Sequence, residues 1–307
     1  MKDIRSLQLL LPPRPVLERK LLSFIEEDIP SFDIGAAVVG NQTASAALYF
    51  KSGNRSNKDS VILAGVPFFD ILFNALGCEI QWSVEEGQDL MQIVNSDKKI
   101  KIASVTGPAC KILQGERTCL NLLSRVSAVA SWSAKLDCLK QKHNYKGEIA
   151  GTRKTTPGLR LFEKYALLLG GCSTHRYDLS QVVMLKDNHI DACNGSIEAA
   201  VTKAKEFGGF STMIEVECRS LDDARRAASS GAHIVMLDNF NAEGAKSAAK
   251  TLHEEHPNVI VEVSGGLTFD TIADYFDDNV NVLSMGFLTE IGCYFAGGTV
   301  DFSLKIV

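Results

Sequence analysis

From about residue 148 onward the chain repeats one pattern: a short β-branched or apolar run, a polar or glycine end, then a stretch with helical periodicity. The runs are GEIAGT, VVML, MIEVE, HIVML, VIVEV and VNVLS. Each suits a buried strand of a parallel sheet. The stretches between them carry helix signals. Thr156 precedes Pro157, Leu159, Phe162, Ala166 and Leu169 then share one face, and Gly170 and Gly171 stop the run. Ser220 and Asp223 form a capping box ahead of a helix closed by Gly231, and TFDTIADYF after Gly266 predicts another. Strands alternating with helices build βαβ units. Six such units fall short of the eight strands and roughly 250 residues of a complete (β/α) barrel. The expectation is therefore an incomplete barrel of six or seven strands, with an open doubly wound sheet as the alternative. No GxGxxG follows the first strand, which disfavours a dinucleotide fold.

The earlier part reads differently. TASAALYFKS, SVILAGV, EIQWSVEEG and KIKIASVTGPA are strand-like, with helices expected at about 15–26 and at VPFFDILFNALG. A long helix over ERTCLNLLSRVSAVASWSAKL follows. The chain of 307 residues thus divides into an α+β domain over 1–120 and a barrel over 121–287, with the strand-like tail in 288–307 returning to the first domain. With 45% hydrophobic and 22% charged residues the composition is that of a folded protein. A net charge of -5 argues against nucleic acid as partner, so any anion is met locally, by a pocket. LQLLL is too short for a signal core and no run approaches a membrane span, so a cytoplasmic location is expected. The eight cysteines show no zinc-ligand spacing and read as reduced, mostly small core fillers.

In a parallel barrel the site lies at the C-terminal strand ends. The first strand ends in Thr152, Arg153 and Lys154, the second in Lys186, the third in Glu215 and Glu217, the fourth in Asp238. The fifth ends in Ser264, Gly265 and Gly266, the sixth in Ser284, Met285 and Gly286. Of the two glutamates, which share a face, only Glu217 is near enough to the strand end to be expected at a ligand. Cations come from early strands, carboxylates from middle ones, and small residues with exposed N–H groups from late ones. Arginine forks and a lysine suit a small polycarboxylate. One or two carboxylates at neighbouring strand ends suit a hydrated Mg²⁺ carrying a phosphorylated substrate. SGG running into a helix N-terminus would hold a phosphate. Each element also has a plain structural reading: Arg153 and Lys154 as a solvated ion-pair patch, His175 and Arg176 as loop residues, Arg117 as a helix-start residue. Their joint placement is what argues for a site.

GTRKTTPGLRLFEKYALLLGG, HRYDLSQVVMLKDNHI, IEVEC, VMLDNF and VEVSGGL, with GPACKILQGERTCLNLLSR before them and DFSLKI after, resemble the quinolinate phosphoribosyltransferases. The resemblance spans most of the chain. It implies transfer of phosphoribose from phosphoribosyl pyrophosphate to the ring nitrogen of quinolinate with loss of CO₂, giving nicotinate mononucleotide and pyrophosphate for NAD synthesis. It implies an N-terminal open-faced sandwich, Mg²⁺, and a homodimer, with a trimer of dimers as a further assembly. By resemblance, Arg153, Arg176, His175 and Lys186 meet the quinolinate carboxylates, and Arg117 crosses from the partner. Lys154 and Lys186 face the diphosphate, Glu217 and Asp238 the metal and ribose, and the SGG and SMG turns the 5′-phosphate. Lys154, Lys186, Glu217 and Asp238 are the expected catalytic set, with Thr152 beside them. Glu290 stands where many relatives carry histidine, and is not assigned to phosphate. Two other readings compete: an aldolase-like barrel with Lys186 as Schiff-base lysine, and a catalytically silent binding or assembly subunit.

Overall fold

A computed structural model describes residues 4–56, 59–94, 98–290, 292–296 and 298–307. Its strands are β1 (Thr43–Lys51), β2 (Glu79–Trp82), β3 (Lys99–Pro108), β4 (Glu148–Gly151), β5 (Val182–Leu185), β6 (Met213–Cys218), β7 (Ile234–Asp238), β8 (Ile260–Ser264), β9 (Val282–Met285), β10 (Tyr294–Phe295), β11 (Gly298–Thr299) and β12 (Asp301–Ile306). They fall into two compact units that interleave along the chain: 1–135 with 161–171 and 291–307, and 136–160 with 172–290. Among the described residues no helix is long and apolar enough to cross a membrane.

The first unit holds an antiparallel sheet in the order β12-β1-β3-β2. The last strand lies against β1, with Leu48 opposite Leu304 and Phe50 opposite Phe302. Helices Arg14–Asp28 and Val66–Ala75 pack on each other and bury Leu17, Leu21, Phe68 and Phe73. Phe68 meets Phe162 edge-on at 4.7 Å, within the preferred range for aromatic pairs.

SVILAGV does not form the strand its composition predicts. Beyond a single bridge from Ile62 to Asp89, its amides go elsewhere: Ile62 to Ser131 Oγ, Ala64 to Ser127 Oγ and Leu63 to the Gln88 carbonyl. The small serines of the long helix thus satisfy a buried segment that a sheet would otherwise have to pair. That helix runs over Ala109–Lys142, so Arg117 lies within it and not at its start.

The second unit is a curled parallel sheet in the order β4-β9-β8-β7-β6-β5, and a seventh segment joins it where Ser173 bridges Ala150 beside β4. The incomplete barrel of six or seven strands is what the structure shows. One face is aliphatic: Val216, Val235, Leu237, Val261, Val263 and Leu283 are fully buried. Helices Ile197–Gly208, Leu221–Ser229 and Ala242–Glu255 cover that face. Each such side chain contributes about 1.5–3 kcal/mol on burial, which makes this layer the frame of the unit. Ser196, Ser220 and Asn241 cap the three helices by accepting the amide three residues on.

Two helix expectations shift. Gly158 adopts φ +82°, a left-handed turn that an α-helix cannot include, so the helix expected from Thr156 starts at Arg160. TFDTIADYF shrinks to a 3₁₀ turn over Ile272–Tyr275.

In the first unit, buried Glu86 accepts from the amides of Gly65 and Val66 and from the Tyr165 hydroxyl. Burial outweighs these bonds and raises its pKa to about 7. A folded-state value above the unfolded one gives stability that is present at low pH and lost as pH rises. Relative to Glu86→Gln, the wild type should therefore lose roughly 3 kcal/mol between about pH 4.5 and 7, as read by urea unfolding at several pH values.

Candidate active site

The second face of the barrel sheet is polar, and strand register says why. Side chains alternate, so MIEVEC turns its isoleucine, valine and cysteine to the helices and Glu215 and Glu217 to the interior. Pairing sets Glu217 level with Met236 and Glu262, and Asp238 level with Ser264 and Ser284. Thr152, Arg153 and Lys154 follow β4, Lys186 follows β5, Glu217 and Asp238 lie at the ends of β6 and β7, and the two glycine turns leave β8 and β9. Arg117 belongs to the other unit, where it is exposed on the long helix.

Behind this rim lies a buried ion cluster. His175 Nε2 is 3.1 Å from Glu262 Oε2 and 3.7 Å from Glu215 Oε2, and both glutamates are essentially inaccessible. Burial works against the imidazolium and the charges of Glu262 and Glu215 favour it, while the Arg176 backbone amide donates to His175 Nδ1 at 2.6 Å and keeps that nitrogen in the acceptor role. Ser284 Oγ donates to Glu262 Oε1 at 2.5 Å. The serine expected at the phosphate turn therefore spends its hydroxyl inside the barrel. Only the backbone of Met285 and Gly286 is left for an anion there.

Arg176 donates to the Val182 carbonyl of β5 at 2.9 Å. Since Ser173 pairs with β4, residues 173–176 span from one sheet edge to the other. Burial, then the charge of neighbouring Arg153, push the Arg176 guanidinium below its ordinary pKa. The Arg153 side chain has no hydrogen bond or ion pair among the described residues, and its buried Nε is unsatisfied. Two arginines in mutual repulsion, one of them without a partner, call for an anion.

Around the rim, Lys186 Nζ contacts Glu217 Oε2 at 2.6 Å. Lys154 reaches Glu290 at 3.6 Å, with both side chains more than half exposed, a weak and easily exchanged pair. Glu290 thus partners a site lysine. Gly265 and Gly266 both have positive φ, and a Cβ on Gly265 would lie 2.4 Å from Asn239 Oδ1 and 2.8 Å from its amide nitrogen. No helix starts directly behind this turn, the next element being the 3₁₀ turn at Ile272. The helix-dipole contribution expected for SGG is absent, leaving the turn amides themselves.

Glu217 and Asp238, on adjacent strands, suit Mg²⁺, which takes oxygen ligands and one or two carboxylates beside a polyphosphate. Ligand atoms of His175, Glu215 and Glu262 also lie within 4.8 Å of one another. Its histidine nitrogen, already bonded to Glu262, makes that trio a poor seat for Mg²⁺. Sequence reading passed over Glu262 entirely and discounted Glu215. The signal was a glutamate at alternate positions in MIEVE and VIVEV, where burial of an unpaired carboxylate would be costly.

The chain matches the quinolinate phosphoribosyl transferase N-terminal domain over residues 33–127 and the C-terminal domain over 129–305. It belongs to the quinolinate phosphoribosyltransferase family. It is similar to the carboxylating nicotinate-nucleotide pyrophosphorylase of Rattus norvegicus, 44% identical over 99% of this chain and 95% of the rat protein. The Homo sapiens protein of that name is 42% identical over 99% of this chain and 96% of its own length. Among solved structures, nicotinate-nucleotide pyrophosphorylase from Francisella tularensis superposes with a TM-score of 0.80 at 31% identity, covering 97% of this chain and 98% of that one.

Gly265→Ala tests the turn: strained φ and the clash with Asn239 should cost about 1–3 kcal/mol in urea unfolding, whereas Gly195→Ala, with open space around it, should cost less.

Proposed function

We propose that this chain transfers phosphoribose from phosphoribosyl pyrophosphate to the nitrogen of quinolinate and releases pyrophosphate and CO₂, leaving nicotinate mononucleotide. What supports the reading is the pair Arg153 and Arg176, close enough to repel, with the buried Arg153 Nε lacking a hydrogen-bond partner among the described residues. Two guanidinium forks match the two adjacent carboxylates of quinolinate. A dicarboxylate and a polyphosphate repel each other, so a site that takes both has to supply excess fixed cation.

In this reading Arg153 and Arg176, with His175 beside them, seat quinolinate, with its nitrogen facing C1 of the ribose. Lys154 exchanges its exposed contact with Glu290 for the diphosphate, and Lys186 lies between the two substrates. The amides of the turns Ser264–Gly266 and Met285–Gly286 take the 5′-phosphate. Mg²⁺ bound at Glu217 and Asp238 would neutralise charge on the departing pyrophosphate. As the C1–O bond breaks, the carboxylates at the mouth face an oxocarbenium-like sugar and favour it electrostatically. Ribosylation makes the ring nitrogen cationic, so it stabilises the electron pair left on C2 when the 2-carboxylate departs as CO₂, and that pair takes a proton from solvent. No step uses a protein nucleophile. Burial pushes the Cys119 and Cys218 thiols up, away from thiolate. Lys186, half exposed and held by Glu217, lacks the apolar pocket of a Schiff-base lysine.

The reading extends to a homodimer in which exposed Arg117 reaches the partner's barrel, and to the cytoplasm, where eight free cysteines stay reduced.

The direct test mixes the protein with quinolinate, phosphoribosyl pyrophosphate and Mg²⁺ and looks for nicotinate mononucleotide; chelation by EDTA should stop turnover and added Mg²⁺ restore it. Arg153→Ala should raise the quinolinate KM about 100-fold, as expected for a lost charge-assisted fork worth about 2–3 kcal/mol. Unchanged kinetics would remove the basis of the assignment. Mixing and re-associating equal amounts of Arg117→Ala and Arg153→Ala subunits should return about a quarter of wild-type activity, because half the dimers regain one intact site. No recovery would refute donation across the interface.

A further inference from the structure

The two arginines at the barrel mouth arrive on separate pieces of chain, Arg153 on the turn after β4 and Arg176 on the segment that runs to β5. Their guanidinium groups repel, so the spacing between them has to be fixed by something other than their own contact. Arg160, which has no part in the roles assigned above, touches both pieces. Its Nε donates to Thr155 Oγ1 at 3.2 Å, and that hydroxyl in turn donates to the Arg153 carbonyl at 3.4 Å. Its Nη1 donates at 3.3 Å to the carbonyl of Tyr177, the residue after Arg176. A guanidinium is planar and rigid, so its donors point in fixed directions and hold the two acceptors at a set separation. A third cation close to two that already repel calls for a carboxylate, and Asp178 supplies one. Its carboxyl lies below the ordinary range, through the hydroxyl and amide of Ser180 and then through the charges of Arg160 and Arg153.

We infer that Arg160 is a positioning residue that braces the turn of Arg153 against the segment of Arg176 and so sets the distance between the two guanidinium groups that receive quinolinate, an assignment that rests on the quinolinate reading of the site. Two adjacent ring carboxylates are a ruler of fixed length. A clamp made of two independent loops matches that length only part of the time, and the unmatched conformations weaken binding. The brace removes this freedom before the substrate arrives. Lysine at position 160 keeps the charge, but a flexible stem with a point ammonium does not reproduce the planar fork. Charge and geometry are therefore separable by one substitution.

The test reads the spacing directly, with the full-length protein and two unreactive probes: phthalate, whose carboxylates are adjacent as in quinolinate, and isophthalate, whose carboxylates stand one ring carbon further apart. By calorimetry the wild type should bind phthalate at least about tenfold tighter than isophthalate, and Arg160→Lys should bring that preference under about threefold. In turnover, Arg160→Lys should raise the quinolinate KM about tenfold and leave the phosphoribosyl pyrophosphate KM within about twofold. Thr155→Val, which removes the hydroxyl arm of the brace, should move the probe preference and the quinolinate KM in the same direction by a smaller step. Both variants should melt within about 4 °C of the wild type. A probe preference that survives Arg160→Lys intact overturns the brace, and so does an equal rise in both KM values. Should Arg160→Lys fail to fold, Thr155→Val decides alone, an unchanged preference there refuting the brace. A wild type that does not distinguish the two probes sinks the quinolinate reading itself and the brace with it, an outcome separate from a preference that is present in the wild type and indifferent to position 160.

Discussion

Two buried glutamates inside a parallel sheet set the terms for the rest of this barrel. An aliphatic strand layer can hold a carboxylate only if cations are brought to it, and the chain meets that requirement by folding residues 173–176 over the open edge. His175 comes down onto Glu215 and Glu262, and Arg176 reaches the far edge at Val182. The segment that partners Glu262 is therefore the one that sets Arg176 at the mouth. Core and site are here one electrostatic problem with one solution.

Strand alternation distributes the labour. The outward residues of β5 to β9 are aliphatic and hold the helices, while the inward residues of the same strands supply Glu215, Glu217, Asp238, Glu262, Ser264 and Ser284. The parallel arrangement brings every C-terminal end to the same side, so chemistry scattered over more than 130 residues of sequence arrives at one rim. The rim pairs differ in grip. Lys186 and Glu217 are held at 2.6 Å, whereas Lys154 and Glu290 are exposed and loosely joined. The second pair is the one suited to open for an incoming polyanion.

Much of this was legible in the residues. VVML, MIEVE, HIVML and VIVEV are apolar runs of strand length with polar ends, and all became strands of one sheet, because continuous burial on a parallel sheet leaves that mark. SVILAGV carries the same mark and is no strand: its burial is against helix serines, a tertiary circumstance no local pattern encodes. The helix forecast from Thr156 and Pro157 failed for the conformation of Gly158, which composition leaves open. Rim residues could be found by position in the repeat, since each stood where a strand ran out. Glu262 could not be found that way, for it sits within a strand. Its meaning comes from His175, 87 residues distant, and from Ser284, 22 residues on.

The chain passes between its two compact units four times, after residues 135, 160, 171 and 290. The short return over 161–171 brings Phe162 against Phe68 and the Tyr165 hydroxyl to Glu86, both inside the first unit. Neither unit is thus a module in the genetic sense. A fragment ending before the barrel would lack a piece of its own core, and a chimera joined near residue 128 would inherit that piece from the wrong parent. Recombination among relatives would favour whole-gene exchange, with the pairs Phe68–Phe162 and Glu86–Tyr165 inherited together.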